Sequence, residues 1–205
     1  MSQRFVIVAI DPGDDGGAVV GEPDKGKHAL GVFRWRKSEA KSGGYNLSRS
    51  GRPTVRVLTL HDVGQAIADF VGARGCFLVC EGLFVPRPPV NMAKHGKKYT
   101  GQVRHVLTLA ESTALLYGPC LPRAVKLLRP TAAVWRPEIL GLSPNASSDL
   151  SEKRAIMAMT QARPPLVAGL GEWATDPHVA EAACIYRWGH LRQVEGSRSR
   201  GRVKS

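Results

Sequence analysis

The run Phe5-Val6-Ile7-Val8-Ala9-Ile10, closed by the acidic turn Asp11-Pro12-Gly13-Asp14-Asp15-Gly16-Gly17, constrains the fold most. It is short, unbroken and rich in β-branched residues. That composition suits a central strand covered on both faces better than a surface helix. Asp11 then falls at the strand's end, where a rigid scaffold can hold a carboxylate in fixed geometry. The glycines after it permit a tight turn and leave room for a metal or a phosphate. An ordinary polar turn between two hairpin strands would look the same over these residues alone, so the rest of the chain decides.

The chain has 205 residues, enough for one domain with a substantial core. It carries 29 Lys and Arg against 17 Asp and Glu, a net charge of +12. Such an excess points to a polyanionic partner, most simply nucleic acid. No strongly amphipathic basic helix suggests a membrane surface instead, and no apolar run is long enough to span a bilayer. The N-terminus lacks the apolar core and small-residue cleavage site of a signal peptide. Cys76, Cys80, Cys120 and Cys184 form no Cys-x-x-Cys pair. Three lie in apolar stretches, which suggests buried reduced thiols in a cytoplasmic protein and argues against a zinc site.

In order along the chain, Ala18-Val19-Val20 reads as a second strand and Ala29 to Trp35 as a third, joined in a hairpin arrangement. Residues 36–54 read as a mobile basic loop, with only Tyr45 and Leu47 to anchor it. Val55 to Leu60 looks like strand continuation. Asp62 is a candidate cap for a helix through about Val71. Cys76-Phe77-Leu78-Val79-Cys80 is another apolar strand, and it too ends at an acid, Glu81. A Pro-rich basic loop, 85–98, leads to a long helical pattern over Thr100 to Tyr117, apolar at Val103, Val106, Leu107, Ala110, Ala114 and Leu115. Ala124 to Leu128 reads as the last strand. Helices are expected after Thr131, from Ser151 to about Gln161, and from about Asp176. Pro177 suits a first helical turn, and His178 and Glu181, three apart, share a face. A single domain is expected over 1–191, with a basic disordered tail over 192–205.

Three stations therefore carry chemistry: Asp11, Glu81 and the His178/Glu181 pair. Taken singly, each has a plainer role as a turn acid, a solvated helix acid or a capping histidine. Their order along the chain makes them informative together. Ile10-Asp11-Pro12-Gly13, Val79-Cys80-Glu81-Gly82-Leu83-Phe84 and Pro177-His178-Val179-Ala180-Glu181-Ala182-Ala183 resemble the successive motifs of the RuvC-like Holliday junction resolvases, within the RNase H-like nuclease superfamily. Ser151-Glu152-Lys153 resembles the family's Lys-bearing helix start, and Arg136 falls where the family often has another basic residue. The resemblance runs from about Phe5 to Gly189. It departs at Glu181, where the family usually has Asp, and in the long basic loop 36–54. A divergent phage or plasmid member would fit.

The resemblance implies an α/β, RNase H-like fold, with a five-stranded mixed sheet flanked by helices. It implies a DNA endonuclease that resolves four-way junctions by paired symmetrical nicks. Asp11, Glu81, His178 and Glu181 become its catalytic and metal-binding set, with Asp176 as an additional candidate ligand. The cofactor would be two Mg²⁺ ions about 4 Å apart, with Mn²⁺ able to substitute. Phe84 becomes a candidate for stacking on a base. Lys94, Lys97, Lys98, Arg104, Arg136 and Lys153 become candidate phosphate contacts, which position DNA without reading its sequence. Two symmetrical cuts imply a homodimer, with the 100–117 helix as the candidate interface. The cell would be bacterial, or a phage's host. Another RNase H-like nuclease acting on flaps, branched DNA or RNA-DNA hybrids, or a non-catalytic nucleic-acid-binding protein, are the alternatives. A sugar-kinase or actin-like ATPase needs two such domains and a loop without Asp14 and Asp15.

Overall fold

The computed structural model describes residues 5–25, 28–83, 88 and 92–201. Its centre is the strand pair expected from the sequence. β1 (Phe5–Asp11) runs antiparallel to β2 (Gly16–Gly21) and parallel to β6 (Gly75–Cys80). β3 (Ala29–Lys37) continues the meander beyond β2, and β7 (Ala124–Leu128) lies parallel to β6 on the other edge.

Alternation along β1 generates two cores. Val6, Val8 and Ile10 face one side, with Ala18, Val20, Phe33, Cys76, Leu78 and Cys80, under α1 (Leu60–Val71) and the end of α2 (Met92–Tyr117). Ile7 and Ala9 face the other side, with Val19, Val32 and Val79. There they meet α5 (Pro177–Gly201), supported by α3 (Ala132–Leu140) and α4 (Ser148–Thr160). The result is a mixed α/β protein in three layers, with helices on both faces of the sheet. A strand covered on both sides needs the continuous apolar run that β1 has.

Among the described residues the sheet has seven strands, in the order β5-β4-β3-β2-β1-β6-β7, where five were expected. Of the two additional strands, β4 (Tyr45–Arg49) lies in what the sequence suggested was a mobile loop, and β5 (Arg52–Val57) straddles the end of that loop and the start of the strand continuation expected over Val55 to Leu60. Only Leu47 of β4 is buried, and nearly all of β5 is exposed. Hydrophobic patterning therefore could not reveal β4 or the first half of β5. Pairing holds them instead: Trp35 opposes Leu47, and Leu47 opposes Val55, around a turn in which Gly51 takes a φ of 72°.

The helix boundaries also move. Thr59, not Asp62, caps α1, and Asp62 closes the reciprocal capping box three residues on. α2 begins at Met92, inside the expected Pro-rich loop, and α5 extends through Gly201, past the point where a disordered tail was expected to begin. All four cysteines are free and buried. Among the described residues no helix is long and apolar enough to cross a membrane.

Candidate active site

Strand parity aims the first two acids. In β1, Ile7 and Ala9 face α5, so Asp11, two residues on, faces α5 as well. In β6, Val79 faces α5, so Glu81 follows it to the same side. Ile10 pairs with Cys80, and the Glu81 amide donates to the Ile10 carbonyl at 3.3 Å, which sets the two acids on adjacent strand ends.

The third station arrives through a glycine. A Cβ on Gly17, which pairs with Asp11, would stand 2.8 Å from the backbone of His178. Without that Cβ, the first turn of α5 rests directly on β2. His178 Nδ1 then lies 3.0 Å from Asp11 Oδ2.

Asp176 fixes the start of α5. Its Oδ1 accepts from the amides of His178 and Val179, both at 3.1 Å, as an N-cap does. Its Oδ2 accepts from Arg34 Nε at 2.8 Å, an ion pair with both side chains largely buried. Arg34 also donates to the Gly16 and Trp35 carbonyls. Both Asp176 oxygens are thus engaged in holding the helix, so of the expected ligands it is the one most fully committed elsewhere.

Glu181 lies one turn further along α5. Ser151 Oγ, in the first turn of α4, hydrogen-bonds its Oε1, and Arg136 Nη2 of α3 approaches that oxygen at 3.5 Å. Arg136 is not on the open surface, as a phosphate contact was expected to be. It is 13% exposed, its Nε is buried without a hydrogen-bond partner, and its guanidinium lies over the Trp135 ring. The buried Trp135 indole N–H has no close acceptor among the described residues, and Glu81 is near enough for it to favour that carboxylate.

Electrostatics follows from this crowding. Burial pushes Glu81 up to about 8, and the Asp11 and Glu181 carboxylates add to the rise, against the pull of Arg136. Burial and Asp11 likewise push Glu181 up to about 7, opposed by its hydrogen bond from Ser151 and by Arg136. Burial also raises Asp11, with His178, Arg34 and Arg136 pulling the other way. The hydrogen bond that the His178 ring donates to the Asp11 carboxylate raises His178. Three carboxylates that each resist ionisation form an electrostatic hole suited to a cation, and hard oxygen donors suit Mg²⁺. The donor types therefore fit a divalent ion. Their arrangement is closed, since Asp11 is joined to His178, and Glu181 to Ser151 and Arg136. Among the described residues no three His, Cys, Asp or Glu side chains converge as a finished ligand set.

The remaining expected contacts are spread over the surface. Lys97, Lys98 and Arg104 are exposed on α2, and Lys153 is exposed on α4. Phe84 lies outside the described residues, as does the side chain of Lys94. Asp14 and Asp15 turn away from the site: Asp14 pairs with Lys37 Nζ at 2.8 Å, and Asp15 accepts from the Lys37 amide at 3.0 Å. Sequence reasoning missed Arg34 and Ser151. A basic residue inside an otherwise apolar strand, Gly-Val-Phe-Arg-Trp, was the available signal for Arg34. Ser151 carried none beyond its place in a helix start.

The chain is similar to a solved structure of RuvC from Thermus thermophilus, at 13% identity over 92% of this chain and 96% of that one, with a TM-score of 0.36. No family model and no curated protein matches it.

Proposed function

We propose that this chain is an RNase H-like nuclease that hydrolyses phosphodiester bonds in branched DNA, and that four-way junctions are its substrate. The observation that carries the reading is the meeting of Asp11, Glu81 and the His178/Glu181 pair. They come from three separate stretches of sequence to one end of a buried strand pair, close enough to alter one another's protonation. The net charge of +12 supports a polyanionic substrate. Within the seven-stranded sheet, the run β3-β2-β1-β6-β7 is mixed, which supports the RNase H-like reading.

Asp11, Glu81 and Glu181, with His178, are the residues that would hold Mg²⁺ or Mn²⁺. A divalent ion there supplies charge relief at the phosphate and a more acidic bound water. The protein's own groups do the rest. Arg34 and Asp176 orient the first turn of α5, and therefore His178. Arg136 and Ser151 orient Glu181. The His178 imidazole, poised against Asp11, can hold or pass a proton.

Leu107 and Leu115, in the apolar stripe expected to pair two copies, are 59% and 45% exposed on α2, which supports a homodimer through that helix.

The deciding experiment compares cleavage of four-way junctions, flaps, plain duplex and RNA-DNA hybrid, with Mg²⁺, Mn²⁺ or EDTA. Paired symmetrical nicks confined to the four-way junction are expected. Asp11→Asn is expected to abolish them while junction affinity stays within about twofold, since affinity comes mainly from Lys and Arg. Preference for hybrid or flap would move the function elsewhere in the superfamily. The closed pairing of Asp11 with His178 and of Glu181 with Arg136 favours one second reading, a nucleic-acid-binding protein without cleavage. Absence of metal-dependent cutting on every substrate would select it.

A further inference from the structure

The two strands at the outer edge of the sheet, β4 and β5, carry the inference. Phe33 and Trp35 face α1, so Arg34 and Arg36 point to the opposite side of the sheet, the side of the carboxylates. Register extends that side outward. Arg34 opposes Ser48, whose Oγ lies 2.7 Å from Thr54 Oγ1 on β5. Arg36 opposes Asn46, which opposes Arg56. Two cross-strand rows result, Arg34-Ser48-Thr54 and Arg36-Asn46-Arg56. The inner row starts at Arg34, which is bound to Asp176 at the head of α5. In the outer row Arg36, Asn46 and Arg56 are all exposed. Neither row contains an acid or an apolar side chain.

Dimensions follow from strand geometry. Arg36 lies about 7 Å along β3 from Arg34, and Arg56 roughly 10 Å across the sheet from Arg36. Arg56 also donates to Ser42 and to the Gly43 carbonyl, which anchors the loop after β3, with exposed Lys41, at the border of the rows.

We propose that this face of β3, β4 and β5 is a docking platform for nucleic acid. It takes the phosphodiester backbone that leads away from the carboxylate cluster, with Arg36 and Arg56 on phosphates and Asn46, Ser48 and Thr54 as neutral hydrogen-bonding groups. The inference rests on the nuclease reading of the site. Its occupant follows from the chemistry of the rows. A protein partner would need buried aromatic or aliphatic anchors at the centre of its footprint, and these rows have none. Guanidinium, amide and hydroxyl groups on a continuous surface are the set that contacts phosphates and sugars. Such contacts read no sequence, so the platform sets the reach and register of the substrate and not its base preference.

The test measures junction and duplex binding by fluorescence anisotropy over a salt series, for the wild type, Arg36→Ala, Arg36→Glu, Arg36→Lys and Arg36→Ala/Arg56→Ala. Each lost phosphate contact should reduce the slope of log affinity against log salt by about 0.9, so the double variant should lose about 1.8. Its affinity should fall on the order of tenfold, equally on unrelated sequences, and Arg36→Glu should fall further than Arg36→Ala. Arg36→Lys should keep the wild-type slope. Because Arg56 also anchors a loop, thermal melts accompany the series, and Arg36→Glu alone decides if the double variant melts low. Unchanged slope and affinity in an Arg36→Glu protein that melts like the wild type would overturn the platform and leave the proposed function standing. A wild type that binds no nucleic acid would overturn both. Arg36-dependent binding to anionic vesicles, with nucleic-acid binding unaffected, would also overturn it.

Discussion

Replacing Glu81 with Gln should make the metal-free protein progressively more stable than the wild type as pH rises above about 5. Glu81 has its carboxyl raised from 4.5 to about 8, with burial as the largest cause and Asp11 and Glu181 next. In the unfolded chain the group ionises near 4.5, while the folded protein keeps its proton to about 8. Over that interval the folded state binds more protons, so stability is fully present below about 4.5 and declines as pH rises toward 8. A rise of roughly 3.5, at about 1.36 kcal/mol each, amounts to about 5 kcal/mol at alkaline pH. Coupling to Glu181 makes this a property of the cluster rather than of one residue. Glutamine keeps the shape and cannot ionise. Urea unfolding in EDTA, from about pH 5 to about pH 9, gives the variant's stability minus the wild type's, so titrations common to both cancel. Near pH 5 the difference should be close to zero or slightly unfavourable, because a buried amide has its own desolvation cost. Near pH 9 the variant should be more stable by several kcal/mol. A difference that stays flat across the range would refute the account of repelling buried carboxylates. Adding Mg²⁺ near pH 8 should stabilise the wild type more than the variant, a readout of cation binding that does not depend on cleavage.

Further perturbations probe the same architecture. Gly17→Ala should lower stability by about 1–3 kcal/mol and separate His178 from Asp11, because the new methyl meets backbone that cannot rotate away; thermal melting and loss of the His178 pKa rise, by NMR titration, check it. Arg136→Met should destabilise by about 3–5 kcal/mol near pH 8 and by less near pH 5, where Glu181 can take a proton; denaturant melts at the two pH values decide. His178→Ala should leave Asp11 without its partner and raise its carboxyl further, visible by NMR titration of the Asp11 side chain. Leu107→Glu/Leu115→Glu should convert a dimeric protein to monomer in sedimentation equilibrium, with the monomer's melting temperature little changed because both side chains are largely exposed.

What was legible in the sequence, and what was not, divides along burial. β1 and β6 have unbroken apolar runs because both of their faces are covered, and a run of that kind needs no tertiary information to read. Asp11 and Glu81 were visible because each interrupts such a run at its end. β4 escaped because a strand with one uncovered face and a single buried leucine looks like a polar loop. Its existence depends on the free edge of β3, a long-range fact. Arg34 escaped for a related reason. Alternation correctly sets it opposite Phe33 and Trp35, but only the arrival of α5 over Gly17, far along the chain, turns that outward-facing position into a buried one.

The candidate site also has a charge pattern that no single motif conveys. Asp11, Glu81, Glu181 and Asp176 supply negative charge, and Arg34, Arg136 and His178 oppose it from three different elements. Asp176 and Arg34 cancel within one ion pair whose role is to seat α5. Asp11 faces His178, whose proton Asp11 itself helps to hold. Glu181 faces Arg136. Among the described residues Glu81 has no ion-pair partner of its own, and its carboxyl is pushed the higher of the two glutamates. An anionic phosphate entering this site meets Glu81 either ionised, and repelled by it, or protonated and neutral. Only the second state, or a cation beside Glu81, admits the phosphate without a large electrostatic penalty. Glu81, legible in the sequence as the acid that ends an inner strand, is therefore the group whose charge an entering polyanion would meet least balanced.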